Sequence, residues 1–370
     1  MTTYDLAVVG AGIVGLAHAL AARRRGLRVV VVERDARASQ ASIRNFGFVT
    51  VSGQAAGVGH ERALRSRDAW LEAARAAQIP ILQRGAMLLA RRDEALAVLR
   101  EFAAAPMGQG CELWDAARTL RDLPMLAGEV RGALWSPHEL RVEAREALPR
   151  LAAWLASQGV DFHWGCAAFA AEEEGLRHAG GLIRTQWTVF APGAEAASLF
   201  PEVARRTGMK RCKLQMMRMA PQRWRLPGVA MSDLSLVRYA GFAQQPSASH
   251  LRARLERESA EALAHGVHVI VAQSADGSLV VGDSHHYDET DDPFGAAPVE
   301  KLVLDELRTL FRLDTDEVLE RWIGYYPYCE STPLINEAIG PHARVVVVTS
   351  GTGMSTAFAI GEETVGAMFG

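Results

Sequence analysis

The sequence is poor in cysteine, carries little net charge and has no long apolar run, and each scarcity excludes a class of protein. Four cysteines occur among 370 residues without C-x-x-C spacing, which argues against a disulfide framework or zinc site and for a reducing compartment. A formal net charge of -3 gives no electrostatic case for nucleic acid or an anionic membrane. No apolar run reaches membrane-spanning length and no signal peptide precedes the first predicted strand, so we expect a cytoplasmic protein that binds neither nucleic acid nor membrane.

The composition is ordinary for a globular protein, and the length of the chain favours two domains. Apolar residues make up 49% and charged residues 22% of the chain, and both fractions are usual for globular proteins. The pattern of apolar runs predicts an α/β fold, in which a Rossmann-like domain is interleaved with a smaller α+β domain on an antiparallel or mixed sheet. We predict the Rossmann-like domain over residues 1–80, 140–208 and 325–370, and the smaller domain over 81–139 and 209–324.

The periodicity of apolar residues also places the individual elements. It predicts helices over residues 13–25, 62–78, 93–104, 145–158, 251–263 and 298–312. It predicts strands over residues 5–9, 29–33, 86–89, 160–164 and 184–192.

A glycine-rich turn follows the first predicted strand and opens the first predicted helix. Gly10, Gly12 and Gly15 stand in the G-x-G-x-x-G spacing, and Glu33 ends the next strand eighteen residues after Gly15. In dinucleotide-binding folds the first glycine allows the tight turn, the second admits the pyrophosphate and the third lets helix pack on strand, while the acidic residue holds a ribose hydroxyl. The carboxylate of Glu33 disfavours the 2′-phosphate of NADP, although Arg34 beside it is positively charged.

The last twenty-seven residues repeat this design. The valine run of Arg344–Val348 is typical of a buried strand, and the turn at Gly351 and Gly353 opens a final helix. Helix N-termini bind anionic oxygen because their N–H groups are free and carry partial positive charge. One such terminus suits a pyrophosphate, and a second suits a flavin ring that becomes anionic on reduction. Two termini at opposite ends of the chain therefore predict FAD rather than NAD.

Two further blocks of small and polar residues follow predicted strands. Ser42, Arg44 and Asn45 come shortly after the second strand and are suited to wrap a ribityl chain and the flavin edge, with a solvated turn as the alternative. The strand predicted over 184–192 closes on the sequence Ala191-Pro-Gly-Ala.

Together the four blocks resemble the FAD-dependent amine oxidoreductases of the D-amino-acid oxidase, glycine oxidase and sarcosine oxidase superfamily. The resemblance covers nearly the whole chain and implies flavin pyrimidine contacts from Gly351–Ser355 and adenosine contacts near Ala168 and Gly193. Some relatives link their flavin to cysteine, but the spacing of Cys329 from Pro333 does not match that position, so we expect non-covalent FAD. The predicted cofactor-binding residues are Gly10, Gly12, Ile13, Val14, Gly15, Glu33, Arg34, Ser42, Arg44, Asn45, Ala168, Ala191, Gly193, Gly351, Thr352, Gly353, Met354 and Ser355.

A narrower resemblance is to the branch associated with bacterial aminophosphonate breakdown, and it rests on residues 213–216, 282–285, 321–324 and 349–356. Glycine-oxidase-like relatives carry an arginine after the third of these segments to hold the substrate carboxylate, where this chain has Tyr-Tyr-Pro. Sarcosine oxidases use a lysine where this chain has Ser355. Because both carboxylate anchors are missing, we expect an acid group of different shape, and a phosphonate dianion requires cations and hydroxyl donors. The predicted substrate contacts are Arg238, Tyr239, His285, Tyr325, Tyr326 and Ser355.

The resemblance implies oxidation of an amine C–N bond by hydride transfer to flavin, followed by hydrolysis of the imine to an aldehyde. The branch implies 2-aminoethylphosphonate or its N-methyl derivative as substrate, giving phosphonoacetaldehyde. The alternatives are an N-methyl or D-amino acid oxidase or dehydrogenase, a flavin-bound assembly protein without turnover, and an NAD dehydrogenase. The lysine that assists oxygen in sarcosine oxidases has an apolar counterpart near Val280, so O2 and another electron acceptor both stay open.

The segment Gly282–Asp288 suggests two other kinds of site. Flavin monooxygenases carry a Gly-Asp pair that is followed by the start of a helix. In this sequence an acidic stretch follows the segment, and it has no pattern of a helix start. Asp283, His285, His286 and Asp288 could supply metal ligands, but adjacent residues of a strand point to opposite faces. We therefore predict no metal site, and instead a strand beside the flavin whose alternate side chains face the substrate.

Overall fold

A computed structural model of the chain describes residues 3–290 and 292–370 and shows two mixed β-sheets with helices packed on them. Within these residues the strands are β1 (Tyr4–Val9), β2 (Val29–Val32), β3 (Phe48–Val49), β4 (Ile81–Ala90), β5 (Glu112–Asp115), β6 (Gly132–Val142), β7 (Asp161–His163), β8 (Ala168–Glu172), β9 (Gly175–His178), β10 (Gly181–Phe190), β11 (Lys210–Met219), β12 (Val229–Met231), β13 (Ile270–Gln273), β14 (Leu279–Gly282), β15 (His286–Asp288), β16 (Val318–Tyr328), β17 (Leu334–Gly340) and β18 (Ala343–Val348). The helices are α1 (Ile13–Arg24), α2 (Val58–Ala76), α3 (Asp93–Ala104), α4 (Ala116–Asp122), α5 (Ala144–Ser157), α6 (Ala196–Leu199), α7 (Pro201–Thr207), α8 (Ala240–Ala243), α9 (Ala248–Glu258), α10 (Ala260–Ala264), α11 (Ala297–Leu310) and α12 (Gly353–Phe369).

The first sheet has the strand order β17-β18-β10-β1-β2-β7, with the hairpin of β8 and β9 attached to β10. β10 pairs in parallel with both β1 and β18, so the carboxyl ends of these three strands meet at one edge. β2 consists of four buried valines, as expected for a parallel strand covered on both faces. α1 and α12 pack closely, since a Cβ on Gly361 would lie 2.8 Å from the carbonyl carbon of Ala17. Both glycine-rich turns therefore lie at the same edge of one sheet.

The second sheet has the order β15-β11-β14-β13-β12-β4-β6-β3, with β16 also paired to β11 and β5 to β6. Its pairs are antiparallel apart from the parallel pair of β12 with β4. Apolar side chains of the helices cover this sheet; the rings of Phe102 in α3 and Phe242 in α8, for example, lie 4.6 Å apart and are fully buried. The predicted α/β fold is confirmed, and of the two forms expected for the second sheet, antiparallel or mixed, the structure shows the mixed one.

Two contacts join the second sheet to the loop that follows β2. The indole Nε1 of Trp322 in β16 donates to the Arg44 carbonyl at 3.1 Å, and the Arg44 guanidinium donates to the Ile323 carbonyl at 3.3 Å. A third contact fixes the start of α12, where the indole of Trp70 in α2 donates to the Met354 carbonyl at 2.7 Å. Segments far apart in sequence thus enclose the space beside both glycine-rich turns.

Five of the six predicted helices are present, with ends displaced by at most four residues. The helix predicted over 251–263 is wrong as a single helix, because α9 and α10 are separated by Ser259, whose φ of −140° is not helical. The Ser259 amide still donates to the Leu255 carbonyl at 2.7 Å. The chain bends there without losing a hydrogen bond, and no glycine or proline marks the bend in the sequence.

The strands of the first sheet all fall inside the three ranges predicted for the Rossmann-like domain. The second sheet takes β3 from the first of those ranges, and β6 and β16 run across the predicted boundaries at 140 and 325. The division into domains stays a prediction. In the part of the chain that the structure describes, no helix is both long and apolar enough to cross a membrane.

Candidate active site

A cavity of about 870 Å³ begins at the edge where β1, β10 and β18 end and extends to the second sheet. This volume is in the upper part of the range for ligand pockets, roughly 300–1,000 Å³. All six predicted substrate contacts line the cavity, and so do all the predicted cofactor-binding residues except Gly15. The structure thus brings together residues from both ends and the middle of the chain, while their individual binding roles stay predictions.

The first glycine-rich turn is shaped by close approaches of backbone to backbone. Gly10 has a φ of +105°, and a Cβ there would lie 2.5 Å from the Ala191 carbonyl oxygen. A Cβ on Gly15 would collide with the Gly10 carbonyl oxygen, so Gly15 packs helix on strand rather than facing the cavity. Ser42 accepts a hydrogen bond from the Ile13 amide at 2.9 Å, and a Cβ on Gly12 would lie 3.0 Å from the same hydroxyl.

Glu33 faces the cavity at the end of β2 and also fastens the neighbouring backbone. Its two oxygens accept from the Ala11 amide at 2.7 Å and from the Asp35 amide at 3.0 Å. Each oxygen has a second lone pair, so the carboxylate can still accept a ligand hydroxyl. The Arg34 guanidinium forms an exposed ion pair with Glu195 at 3.3 Å. The positive charge of Arg34 is therefore directed to Glu195.

The block after β2 is held by its own hydrogen bonds. Arg44 Nε donates to the Ser39 carbonyl at 2.8 Å. The Asn45 side chain donates to the Ala41 carbonyl at 2.8 Å and accepts from the Gly47 amide at 2.6 Å. Arg44 and Asn45 line the cavity, but these bonds occupy their polar groups in shaping the loop.

The second glycine-rich turn lies against an aromatic ring. Gly351 has a φ of +71°, and a Cβ there would lie 3.0 Å from Cζ of Tyr326. Thr352 occupies the N-cap position of α12, and Ser355 in the first turn is buried and accepts from the Thr50 amide at 2.9 Å. The hydroxyl hydrogen of Ser355 stays available to a ligand.

The middle of the chain lines the cavity near Glu33. The Ala191 amide donates to the Val9 carbonyl at 2.8 Å, which aligns the end of β10 with the end of β1. Gly193 follows at a φ of +56°, with open space where a Cβ would stand. Ala168 opens β8, two residues after a backbone bond of 2.8 Å from the Cys166 amide to the Glu33 carbonyl.

Arg238 lies at the other end of the cavity among tyrosines. Its guanidinium donates to the Tyr287 hydroxyl at 2.6 Å, and the rings of Tyr287 and Tyr328 lie 4.3 Å apart. Burial works against the charge of Arg238, but the oxygens of Tyr326, Tyr287 and Asp283 outweigh it and raise the pKa of the guanidinium. Arg238 therefore keeps its positive charge inside the cavity.

Beside Arg238 lies a buried group of one carboxyl and two imidazoles. His268 Nε2 is 3.2 Å from Asp283 Oδ1, and His285 Nε2 is 3.9 Å from Asp283 Oδ2. Burial raises the pKa of Asp283 to about 7, although the Arg238 charge acts to lower it. Burial, and next the Arg238 charge, lower the pKa of both histidines well below its ordinary value. Both imidazoles are therefore neutral at pH 7.

Asp283 and Tyr287 were missed as site residues, although the alternation expected of their strand would have identified them. Asp283, His285 and Tyr287 all line the cavity, whereas the residues between them do not. Two of the predicted substrate contacts, Tyr325 and Tyr239, also contact other parts of the protein. Tyr325 donates its hydroxyl to the Asp292 carbonyl at 2.8 Å, and the Tyr239 ring lies against Gly53.

The residues that could bind a metal ion in the structure differ from the four considered in the sequence analysis. His268, Asp283 and His285 place their ligand atoms within 4.8 Å of one another. His286 instead lies 2.9 Å from His265 on the other face of the strand. Because the charge of Arg238 beside the group repels a cation, we assign no metal ion to it.

Glycine-rich turns from both ends of the chain, facing one cavity beside an acidic strand end, define an α/β protein that binds a dinucleotide. Among known families, the DAO family, described as FAD dependent oxidoreductase, matches residues 5–367. The chain therefore belongs to this family of FAD-dependent oxidoreductases, and its cofactor is FAD. This membership sets aside the NAD dehydrogenase and the assembly protein without turnover.

Solved structures of similar fold include several flavoenzymes. Glycine oxidase from Bacillus cereus ATCC 14579 has a TM-score of 0.80 at 18% identity, over 99% of this chain and 95% of its own. L-proline dehydrogenase from P. horikoshii has a TM-score of 0.78 at 19% identity, over 99% and 93%. FAD-bound L-α-glycerophosphate oxidase from Mycoplasma pneumoniae has a TM-score of 0.76 at 16% identity, over 99% and 94%. These identities establish the shared fold alone, and no curated protein matches the sequence.

The residues that line the cavity fit FAD. They include the N-termini of both α1 and α12, whose N–H groups suit the pyrophosphate and a reduced flavin ring. Gly12 and Gly193 keep backbone accessible where a side chain would narrow the cavity.

Proposed function

We propose that the chain oxidises the C–N bond of an amine that carries a phosphonate group. The substrate would be 2-aminoethylphosphonate or its N-methyl derivative, and hydrolysis of the imine would give phosphonoacetaldehyde. FAD supplies the hydride acceptor when bound, and O2 or another acceptor would reoxidise it.

We propose that FAD lies along the cavity with its adenosine near Ala168 and Gly193. Glu33 would accept from the ribose, and the turn at Gly12 would hold the pyrophosphate. The turn Gly351–Ser355 would contact the pyrimidine edge of the flavin. All of these residues line the same cavity, which supports this arrangement.

The observation that carries the substrate proposal is the state of Arg238. Among the described residues, four arginines line the cavity, and three of them are committed elsewhere. Arg34 and Arg62 form ion pairs with glutamates at 3.3 and 2.8 Å, and Arg44 donates to two carbonyls. Arg238 bonds instead to a neutral tyrosine hydroxyl, so its charge is available to a substrate anion.

The surroundings of Arg238 favour a phosphonate over a carboxylate. A phosphonate presents three oxygens, and the hydroxyls of Tyr287 and Tyr326 stand beside the guanidinium as further partners. The Tyr-Tyr-Pro segment and Ser355 occupy the positions where relatives hold a carboxylate, and Ser355 accepts from the Thr50 amide. The acid group would therefore be bound from the Arg238 side of the cavity.

The two predicted domains are part of this proposal. The glycine-rich turns follow strands of the first sheet, while Arg238, Asp283 and Tyr326 come from the second sheet or its connections. The first unit would therefore bind FAD and the second would bind substrate. The scarcity of cysteine supports a cytoplasmic location.

Anaerobic reduction of the bound flavin tests the substrate. N-methyl-2-aminoethylphosphonate and 2-aminoethylphosphonate should bleach the flavin faster, by kcat/KM, than β-alanine, glycine, sarcosine or D-alanine. Arg238→Ala should lower kcat/KM for the phosphonates about 10- to 100-fold, the scale of one charged hydrogen bond. The same substitution should lower kcat/KM much less for an amine that carries no acid group.

Arg308→Ala on the exposed face of α11 is the matched control and should leave both kinetics unchanged. If glycine, sarcosine or D-alanine has the highest kcat/KM, the phosphonate assignment is wrong and an amino acid oxidase takes its place. If Arg238→Ala leaves phosphonate kinetics unchanged, the anion is bound elsewhere in the cavity.

A further inference from the structure

We propose that Asp283 receives the ammonium group of the substrate and takes its proton, so that the amine is oxidised in its neutral form. This inference rests on the proposed function only in requiring an amine substrate, whatever its acid group. Amines are mostly protonated at pH 7–8, and the lone pair that forms the imine is free only after a proton has left. The site therefore needs a proton acceptor near the amine.

The Asp283 carboxyl is buried, lines the cavity and lacks the partners that a buried carboxyl usually has. It is 5% exposed, and Oδ1 makes no hydrogen bond within the described structure. His268 Nε2 lies 3.2 Å away without hydrogen-bond geometry. Buried polar atoms are normally paired, and each exception needs an explanation. A ligand that donates hydrogen bonds at this wall of the cavity supplies the missing partner.

His285 provides a second acceptor next to this carboxyl. Its Nδ1 lies 3.1 Å from the Gly266 carbonyl, which only accepts, so the hydrogen of the neutral ring stands on Nδ1. Nε2 then presents a lone pair, 3.9 Å from Asp283 Oδ2. Two acceptors this close require a donor with at least two N–H groups. Primary and N-methyl ammonium groups both meet this requirement.

The charges around Asp283 leave its carboxylate as the one negative group beside Arg238 within the described residues. The titratable and charged groups that face it are Arg238, Tyr239, His268, His285 and Cys212. Burial raises the pKa of the tyrosine and cysteine and lowers that of the histidines, so these four are neutral. The guanidinium and the carboxylate together complement a substrate with an acid group at one end and an ammonium at the other.

The proton step is balanced within the site. One N–H bond of the ammonium breaks, an O–H bond forms on Asp283, and the electron pair of the N–H bond stays on nitrogen. No oxidation or reduction occurs in this step. The neutral carboxylic acid returns its proton to water before the next substrate binds.

The pH dependence of anaerobic flavin reduction by the best amine tests the inference. In the wild type, kcat/KM should fall tenfold per pH unit below about 7, where Asp283 becomes protonated. Asp283→Asn should lower kcat/KM at pH 8 about 100-fold, within the usual range for general acid–base catalysis. The loss should shrink towards pH 10, because the amine then arrives already neutral, amines having a pKa of about 10.

A binding measurement separates this role from a structural one. Ethylphosphonate, or propionate if the acid group is a carboxylate, lacks the amine and should perturb the flavin spectrum without reducing it. Asp283→Asn should bind this analogue as tightly as the wild type or more tightly. Asp288→Asn, an exposed aspartate five residues further on and outside the cavity, is the matched control and should behave as the wild type.

The outcomes separate the inference from the proposed function. An equal loss at pH 8 and pH 10, or lost binding of the analogue, makes Asp283 structural and overturns the inference alone. The inference is also overturned if kcat/KM of the wild type does not fall below about pH 7. This wild-type measurement alone tests the inference if Asp283→Asn does not retain FAD. If no amine reduces the wild-type flavin, the proposed function fails and the inference fails with it.

Discussion

At the scale of single residues, the cavity contains a group that folding alone would not favour. Asp283 is buried without a hydrogen bond to Oδ1, and its pKa is raised from 3.8 to about 7 by burial. A carboxyl with a raised pKa stabilises the fold in its protonated form, and this contribution is lost as the pH rises from the unfolded pKa through the folded one. The wild type should therefore lose stability between about pH 4 and pH 7.

Asp283→Asn should reverse this loss, because the amide does not ionise. The variant should gain stability over the wild type between pH 5 and pH 8, by at most about 4 kcal/mol for a pKa displaced this far. Urea unfolding of both FAD-bound proteins at the two pH values measures the gain, and Asp288→Asn should show none. If the stability of Asp283→Asn minus that of the wild type is instead smaller at pH 8 than at pH 5, then partners in the folded protein stabilise the Asp283 anion.

The sequence points to some of the residues around the cavity and gives no sign of others. Gly10, Gly12 and Glu33 could be predicted because the chemistry of a turn and a strand end is local. His268 could not, since it joins Asp283 only through strand pairing, in which the two residues exchange backbone hydrogen bonds of 3.2 and 3.0 Å. The register of such a pair depends on the whole second sheet.

At the scale of elements, the start of α12 depends on the turn before it. Gly351 takes a left-handed backbone conformation, and the Tyr326 ring lies 3.0 Å from the position that a Cβ would take; α12 then begins at Gly353, which lines the cavity. The sequence could predict this element because a valine run, a glycine pair and an apolar helix follow one another. It could not show that Tyr326 is the ring that the turn packs on.

Gly351→Ala should weaken FAD binding and stability together. A side chain at this φ costs about 1–2 kcal/mol, and its Cβ would press on Tyr326. We therefore expect the FAD dissociation constant to rise about tenfold, measured by flavin fluorescence on titration of the apoprotein. Gly340→Ala in β17 is the control, because no described atom lies within 4 Å of its Cβ position and its backbone is unstrained. Equal affinity in both variants would show that the turn tolerates a side chain.

At the scale of the whole molecule, the first sheet was predictable and the second was not. Parallel strands joined by helices leave few topologies, so the βαβ unit at the start and the valine strand at the end could be placed in one sheet. The second sheet joins β4 to β12, whose residues lie about 140 positions apart, and no local pattern records that pairing. The cavity arises where the two sheets meet, so the sequence could name lining residues on both sides of it but not the strand pairings that bring those residues together.

Removal of FAD should therefore loosen both ends of the chain at once. Ligand at 100 times its dissociation constant stabilises a fold by about 2.7 kcal/mol, and here it would bridge the N-termini of α1 and α12. Hydrogen exchange of apoprotein and FAD-bound protein should show protection gained together at residues 10–16 and 351–357. The exposed helix α4, away from the cavity, should exchange alike in both and serves as the internal control. Protection confined to residues 10–16 would mean that FAD contacts one terminus only, and would contradict the proposed position of the flavin ring.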